Sequence, residues 1–289
     1  MINRTVLMSD AHHFTAEQAI NPYYFDSHTD QQKAQEEHDS IREALMHIGV
    51  EVLTTDSPID SQDGVYTANW ALVRGDTAVL ARLPNVRRSE EVYAERVLKS
   101  LGKTIVHVPD GLKFSGQGDA LACGEYLFCG RNYRSDEAAQ AFAANALGYK
   151  RVQLETIPQL DISGQEVINP VSGWADSMFY DIDLALAVIR PVESGKNGLI
   201  AYCPDAFSEE SQQIVKVLPN IDRIEISLEE ATTAFAGNLV STGESVVMSA
   251  DAPRLKTALE SRGITVYTPV IHELAKGGGY IRCTTLTLD

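Results

Sequence analysis

The chain has 289 residues, 44% hydrophobic and 22% charged, a composition that suits a globular fold with a sizeable core. Its 24 Lys and Arg face 40 Asp and Glu, a formal net charge of -16, which repels phosphate backbones and anionic lipid and argues against nucleic-acid or membrane-surface binding. No apolar run approaches the roughly 20 residues that span a bilayer, and Met1-Ile2-Asn3-Arg4 leads straight into a strand-like run without a signal peptide, so a cytoplasmic location is expected.

Thr5-Val6-Leu7-Met8 reads as a first, isolated strand. A recurring pattern follows: two β-prone runs around a turn that holds Gly and a polar neighbour, which is a hairpin signal. It occurs at Ala71 to Leu80, Leu121 to Cys129, Leu184 to Tyr202 and Asn238 to Met248, with starts spaced by 50, 63 and 54 residues. Helical patterns come after each hairpin, at Ser89 to Leu101, Ser135 to Leu147, Phe207 to Leu218 and Ala252 to Arg262. Ser or Asp precedes three of them, as N-caps do. Further strand-like runs include Thr104 to Val108 and Ile264 to Thr268. A periodic hairpin-helix-strand unit implies a radial or stacked repeat. Pairing the leftover strands, Thr5 to Met8 and Ile281 to Leu288, makes a fifth unit and removes exposed edges. The expected fold is a single α/β domain over residues 1–289, built from five pseudo-repeats in a closed ring.

The four cysteines form no CxxC pair and show no metal-type spacing with His. Cys123, Cys129 and Cys203 lie in apolar runs, where a free thiol packs as a small hydrophobe. Cys283 follows Lys276-Gly277-Gly278-Gly279-Tyr280-Ile281-Arg282, and cations beside a thiol favour the reactive thiolate. It is the candidate nucleophile. His107 reads as a packed strand residue, and His12 and His13 are outside candidates for chemistry. Trp70 and Trp174 read as packing residues.

The loops that lead into the units share one phase. They are Val65-Tyr66-Thr67-Ala68-Asn69, Phe114-Ser115-Gly116-Gln117-Gly118-Asp119, Phe179-Tyr180-Asp181-Ile182-Asp183 and the Gly277 to Thr284 segment. All are expected at one mouth of the ring, where polar loops on a rigid scaffold build a site. With Asn21-Pro22, Arg87-Arg88-Ser89-Glu90 and Tyr133-Arg134-Ser135, these segments resemble the guanidino-group-modifying (pentein, amidinotransferase) superfamily of five-bladed α/β propellers. Over essentially the whole chain, the likeness is to dimethylarginine dimethylaminohydrolases and the catalytic domain of arginine dihydrolases.

The resemblance implies a cysteine-dependent hydrolysis of a C–N bond in an arginine-like guanidino or ureido compound, through a thiouronium-type adduct on Cys283 and without a metal or organic cofactor. It implies that Asp119 grips the guanidinium, that Arg134 and Arg87 hold a substrate carboxylate, and that Asn21, Asp63 and Asn69 border the pocket, with Asp183 in the substrate-binding set. Two positions depart from the family pattern: Asp181 stands where members usually carry His, and Ser115 where they usually carry an acid. Both belong to the proton-transfer machinery, since an imidazole near neutral pKa suits that task. Read as strand neighbours, Asp181 and Asp183 share a face, where crowding raises a carboxylate pKa. The alternatives are a divergent member with altered substrate or amidino transfer, and a catalytically impaired binding or regulatory member. The partner is a small guanidino or ureido amino acid, with no nucleic acid and no membrane; a homodimer is left open.

Overall fold

The computed structural model describes residues 1–24, 28–131 and 133–289. The short apolar runs pair as their turns dictate. β1 (Thr5–Ser9) runs parallel to β2 (Glu51–Thr55), joined by α1 (Gln31–His47), whose Asp30 N-cap accepts from the Lys33 amide at 3.0 Å. β3 (Ala71–Arg74) and β4 (Thr77–Leu80) make an antiparallel hairpin across Gly75 at φ +56°, the left-handed region that the turn requires. α2 (Arg88–Ser100) then crosses to β5 (Thr104–His107), parallel to β4.

Three further units repeat this order. β6 (Ala120–Cys123) and β7 (Tyr126–Cys129) are followed by α3 (Glu137–Leu147) and β8 (Lys150–Gln153). β9 (Leu186–Arg190) and β10 (Gly198–Tyr202) are followed by α4 (Glu209–Val217), β11 (Ile221–Glu225) and the short α5 (Leu228–Thr233). β12 (Val240–Ser241) and β13 (Ser245–Val247) are followed by α6 (Pro253–Glu260) and β14 (Thr265–Tyr267). β15 (Leu286–Thr287) pairs antiparallel with β1, Val6 opposite Thr287 and Leu7 opposite Leu286.

The described residues thus form five three-stranded sheets, ordered β3-β4-β5, β6-β7-β8, β11-β10-β9, β12-β13-β14 and β15-β1-β2. The fifth unit is made of both chain ends, as the leftover strands implied. A cavity of about 300 Å³ is lined by Leu72, Leu121, Ala187, Leu239 and Thr287, one residue from or beside the first strand of every sheet. The first strands therefore share a common axis. The buried apolar faces of sheets and helices pack around it; fully buried side chains include Leu7, Trp70, Phe128 and Tyr202. No helix among the described residues is long and apolar enough to cross a membrane.

Some expectations need correction. Of the four anticipated helices only α4 has a side-chain cap of the expected kind, Ser208 accepting from Ser211 N at 3.4 Å; Asp136 instead accepts from the Lys113 amide at 2.7 Å. The anticipated strand from Ile281 to Leu288 shrinks to Leu286–Thr287, because the Cys283 amide is turned toward Asn238. α1 and β2 complete the fifth unit and were not anticipated.

Candidate active site

Each sheet's first strand is preceded by a tight turn, and these turns carry the polar side chains. A 3-10 turn at Thr67–Trp70 holds Asn69 ahead of β3, and one at Gly116–Gly118 places Asp119 ahead of β6. One at Ile182–Leu184, preceded by Asp181, leads into β9. Asn238 comes just before β12, and Cys283 just before β15. One phase of the repeat therefore delivers all of them to one end of the axis. Asn21, Asp63, Asn69, Arg134, Asp181 and Cys283 line a single pocket there, which holds about 10 Å³ of free space, the room of about one water. Admitting an amino acid requires its walls to part.

Cys283 is held on two sides. Its amide donates to Asn238 Oδ1 at 3.0 Å, and Asn238 Nδ2 donates to Sγ at 3.1 Å. The thiol donates to Asp183 Oδ2 at 3.4 Å. Burial, then the neighbouring Asp183 carboxylate, push the Cys283 thiol well above its ordinary range. The expectation that Lys276 and Arg282 lower it is corrected because burial and Asp183 outweigh the Arg282 charge, and both cations make their hydrogen bonds elsewhere. Lys276 Nζ donates to the His28 carbonyl at 2.8 Å and to Glu273 Oε2 at 2.9 Å, and Arg282 Nη2 donates to Gln117 Oε1 at 2.8 Å.

Asp181 is tied to Asn69, whose Nδ2 donates to Asp181 Oδ2 at 2.8 Å and to Ser115 Oγ at 2.9 Å. Asn69 Oδ1 in turn accepts from Arg87 Nη1 at 2.9 Å, which fixes the amide's orientation. Gly118 makes this approach feasible: a Cβ there would lie 2.3 Å from Asn69 Nδ2 and 2.8 Å from Asp181 Oδ2. Asp181 Oδ1 and Asp183 Oδ1 are buried and have no hydrogen-bond donor among the described residues. Burial raises the pKa of Asp181, with Arg134 opposing, and burial plus the Asp181 charge raise Asp119 and Asp183 well above the usual carboxylate range. Asp63, whose Oδ1 accepts from Tyr24 Oη at 2.6 Å, is raised by burial to about 6.

The structure redistributes several anticipated roles. Arg87 is buried in a two-pronged ion pair with Glu90, Nε to Oε1 at 2.8 Å and Nη2 to Oε2 at 2.7 Å, and also reaches the Asp63 carbonyl. It braces the pocket floor and is not free to receive a carboxylate. Asp119 does not line the pocket. Its Oδ1 accepts from the Ile182 amide at 3.1 Å and its Oδ2 from Gln140 Nε2 at 3.3 Å, so it anchors the turn that carries Asp181 and Asp183. That turn is a 3-10 helix and not the strand that the two-residue spacing suggested. Asp183 lies behind Cys283.

Arg134 stays in the pocket wall, stacked 4.8 Å from the Tyr180 ring centroid and 5.8 Å from that of Trp174, with Nη2 on the Ile20 carbonyl. His12 and His13 line a separate groove with Asp10 and Tyr93, and His107 is exposed beside Glu95 at 3.7 Å, not packed. Asn238 is the residue that sequence reading missed. Its signal was its phase, immediately ahead of a first strand like Asn69 and Asp119.

The profile described as N,N dimethylarginine dimethylhydrolase, eukaryotic, matches residues 12–288. The chain is 31% identical over 292 residues to N(G),N(G)-dimethylarginine dimethylaminohydrolase of Mycobacterium tuberculosis, covering 99% of this chain and 86% of that protein. It is 29% identical over 287 residues to the bifunctional arginine dihydrolase/ornithine cyclodeaminase AgrE of Nostoc sp., covering 97% of this chain but only 37% of that longer protein. The N-terminal domain of ArgZ, an arginine dihydrolase of cyanobacteria solved bound to product, superposes with a TM-score of 0.85 at 27% identity over 99% of this chain and 97% of that domain.

Proposed function

The chain belongs to the N,N dimethylarginine dimethylhydrolase family, and from that premise we propose that residues 1–289 act as one catalytic domain, a cysteine-dependent hydrolase of an arginine-like guanidino or ureido compound. The observation that carries this reading is a buried thiol set between carboxylate oxygens that lack donors. Asp181 Oδ1, on the pocket wall, is a buried polar atom without a partner among the described residues that can meet a guanidinium nitrogen, and Asp183 backs the thiol from behind. Arg134, on the pocket wall, is the cation for the carboxylate at the other end of the substrate.

In this reading the Cys283 sulfur adds to the guanidinium carbon, forming a C–S bond. The C–N bond to the leaving amine then breaks as a carboxylic acid, Asp181, gives that nitrogen its proton. Water adds to the thiouronium-type carbon and returns a proton to Asp181, the C–S bond breaks, and a ureido product departs. A carboxylic acid whose pKa is raised by burial can hold a proton for this purpose, although less readily at neutral pH than imidazole. The elevated thiol makes the first step slow, so hydrolysis of plain arginine is expected to be weak.

The same elevation favours a second reading, binding without turnover. The test is product detection with a panel of arginine, methylated arginines and citrulline. Release of an amine or ammonia with matching ureido product or ornithine supports the hydrolase; saturable binding with no product supports the second reading. Absence of both binding and product with every one of these compounds contradicts both readings.

A further inference from the structure

Removal of the thiol proton is the step that the reading above leaves without an acceptor. Cys283 Sγ lies 3.4 Å from Asp183 Oδ2, the one carboxylate oxygen within hydrogen-bond reach of the sulfur among the described residues. The three phenols near the thiol are turned elsewhere: Tyr23 donates to the Met178 carbonyl at 2.9 Å, Tyr66 to that of Leu274 at 2.5 Å and Tyr180 to that of Gly278 at 2.6 Å. Asn238 presents N–H to the sulfur and cannot take a proton. Asp181 faces the pocket, its Oδ2 held by Asn69.

Arg282 stands behind this pair. It is 8% exposed, and its guanidinium bonds only neutral acceptors: Gln117 Oε1 at 2.8 Å, Thr287 Oγ1 at 3.0 Å and the Thr285 carbonyl at 3.3 Å. It forms no ion pair among the described residues, and the two groups that its buried charge acts on are Asp183 and Cys283. For Asp183 it is the leading cation, opposing without outweighing the burial and the Asp181 charge. These leave Asp183 well above the ordinary carboxylate range and make its carboxylate a strong proton acceptor. A buried guanidinium held rigidly by neutral groups is a fixed counter-charge that cannot be neutralised by titration.

We infer that Asp183 is the proton acceptor for the Cys283 thiol, and that Arg282 is the positioning residue whose charge favours the carboxylate form of Asp183. The inference rests on Cys283 being the nucleophile. In the step, the S–H bond breaks, an O–H bond forms on Asp183 Oδ2, and the electron pair stays on sulfur for attack on carbon. When the C–S bond breaks at the end of the cycle, the thiolate recovers its proton from Asp183. Charge is conserved, so the exchange suits a dry pocket better than loss of a proton to bulk water.

The test is the pH dependence of Cys283 alkylation by iodoacetamide, read by peptide mass spectrometry without any guanidino compound, so that it stands apart from turnover. A thiol and carboxylate sharing one proton hold a pH-independent fraction as thiolate between their two macroscopic pKa values. The parent is therefore expected to show a plateau in rate, then a rise at high pH. Asp183→Asn, which is nearly isosteric, should lose the plateau and fall tenfold per pH unit below a single midpoint that lies lower than the parent's upper rise. Arg282→Met should move the low-pH edge of the plateau upward, and Arg282→Lys should restore it. A parent profile with one unit-slope rise and no plateau, or a plateau that survives in Asp183→Asn, overturns the inference. If Arg282→Met does not fold, Asp183→Asn and Arg282→Lys still decide it.

Discussion

Asn69 and Asp181 stand 112 residues apart and meet through a 2.8 Å hydrogen bond at the centre of the pocket. The bond links two units of the ring and is set from behind by Arg87 on Asn69 Oδ1. Asn69→Ala removes a donor from Asp181 and Ser115 and an acceptor from a buried guanidinium. Leaving such groups unpaired costs about 1–3 kcal/mol each, so a loss of about 3 kcal/mol or more is expected in urea unfolding. A change under about 0.5 kcal/mol would show that this network does not hold the pocket.

Glu90 is fully buried against Arg87 and also accepts from Trp70 Nε1 at 3.1 Å and Ser61 Oγ at 2.5 Å. Removing one partner of a buried ion pair costs about 3–5 kcal/mol. Glu90→Ala should destabilise the protein by that amount and also loosen the Asn69 amide. Thermal unfolding that stays within a few degrees of the parent would contradict this role for the pair.

Sequence reading reached the ring because hairpin chemistry is local: Gly75 and Gly124 sit at left-handed φ between short β-prone runs, and the spacing of those runs exposes the repeat. Closure was legible because two strands had no partner. α1 was missed because its buried stripe is only Ala34, Glu37, His38, Ile41 and Leu45, with two polar members, and β2 because it is half-exposed and weakly patterned. The convergence of Cys283, Asp181 and Asn69 followed from their shared phase, whereas Arg134, which follows β7, was placed by the family resemblance. Side-chain direction was legible only for Arg87, whose i,i+3 spacing to Glu90 is a helix pairing; no spacing rule tells that Asp119 turns to the Ile182 amide or that Arg282 turns toward Gln117. Those choices are made by tertiary contacts.

His38 on α1 is buried, both its ring nitrogens lack partners among the described residues, and burial lowers its pKa from 6.5 to about 4. Asp39, Asp10, Arg42 and His12 are the charged or titratable groups that act on it. The folded pKa is depressed, so the unfolded chain binds this proton more readily between pH 6.5 and 4. Its contribution is present above about 6.5 and is lost as pH falls toward 4, up to about 3 kcal/mol. Asp63, raised to about 6, acts in the opposite sense, so only a difference between variants isolates the histidine. His38→Phe should flatten the acid side of the stability profile relative to the parent. Parallel profiles from pH 7 to 4 would sink the assignment.

The central claim is that Cys283 is the covalent nucleophile toward a guanidino or ureido carbon. The direct measurement is mass spectrometry of the protein quenched in acid during incubation with arginine, its methylated forms and citrulline, followed by peptide mapping. The account predicts an adduct with the mass of the substrate less its leaving amine on the Cys283 peptide with at least one of these compounds, absent in Cys283→Ser, which should also lose turnover by at least about a hundredfold. Turnover that persists in Cys283→Ser, or an adduct mapping to Cys123, Cys129 or Cys203 instead, would contradict it.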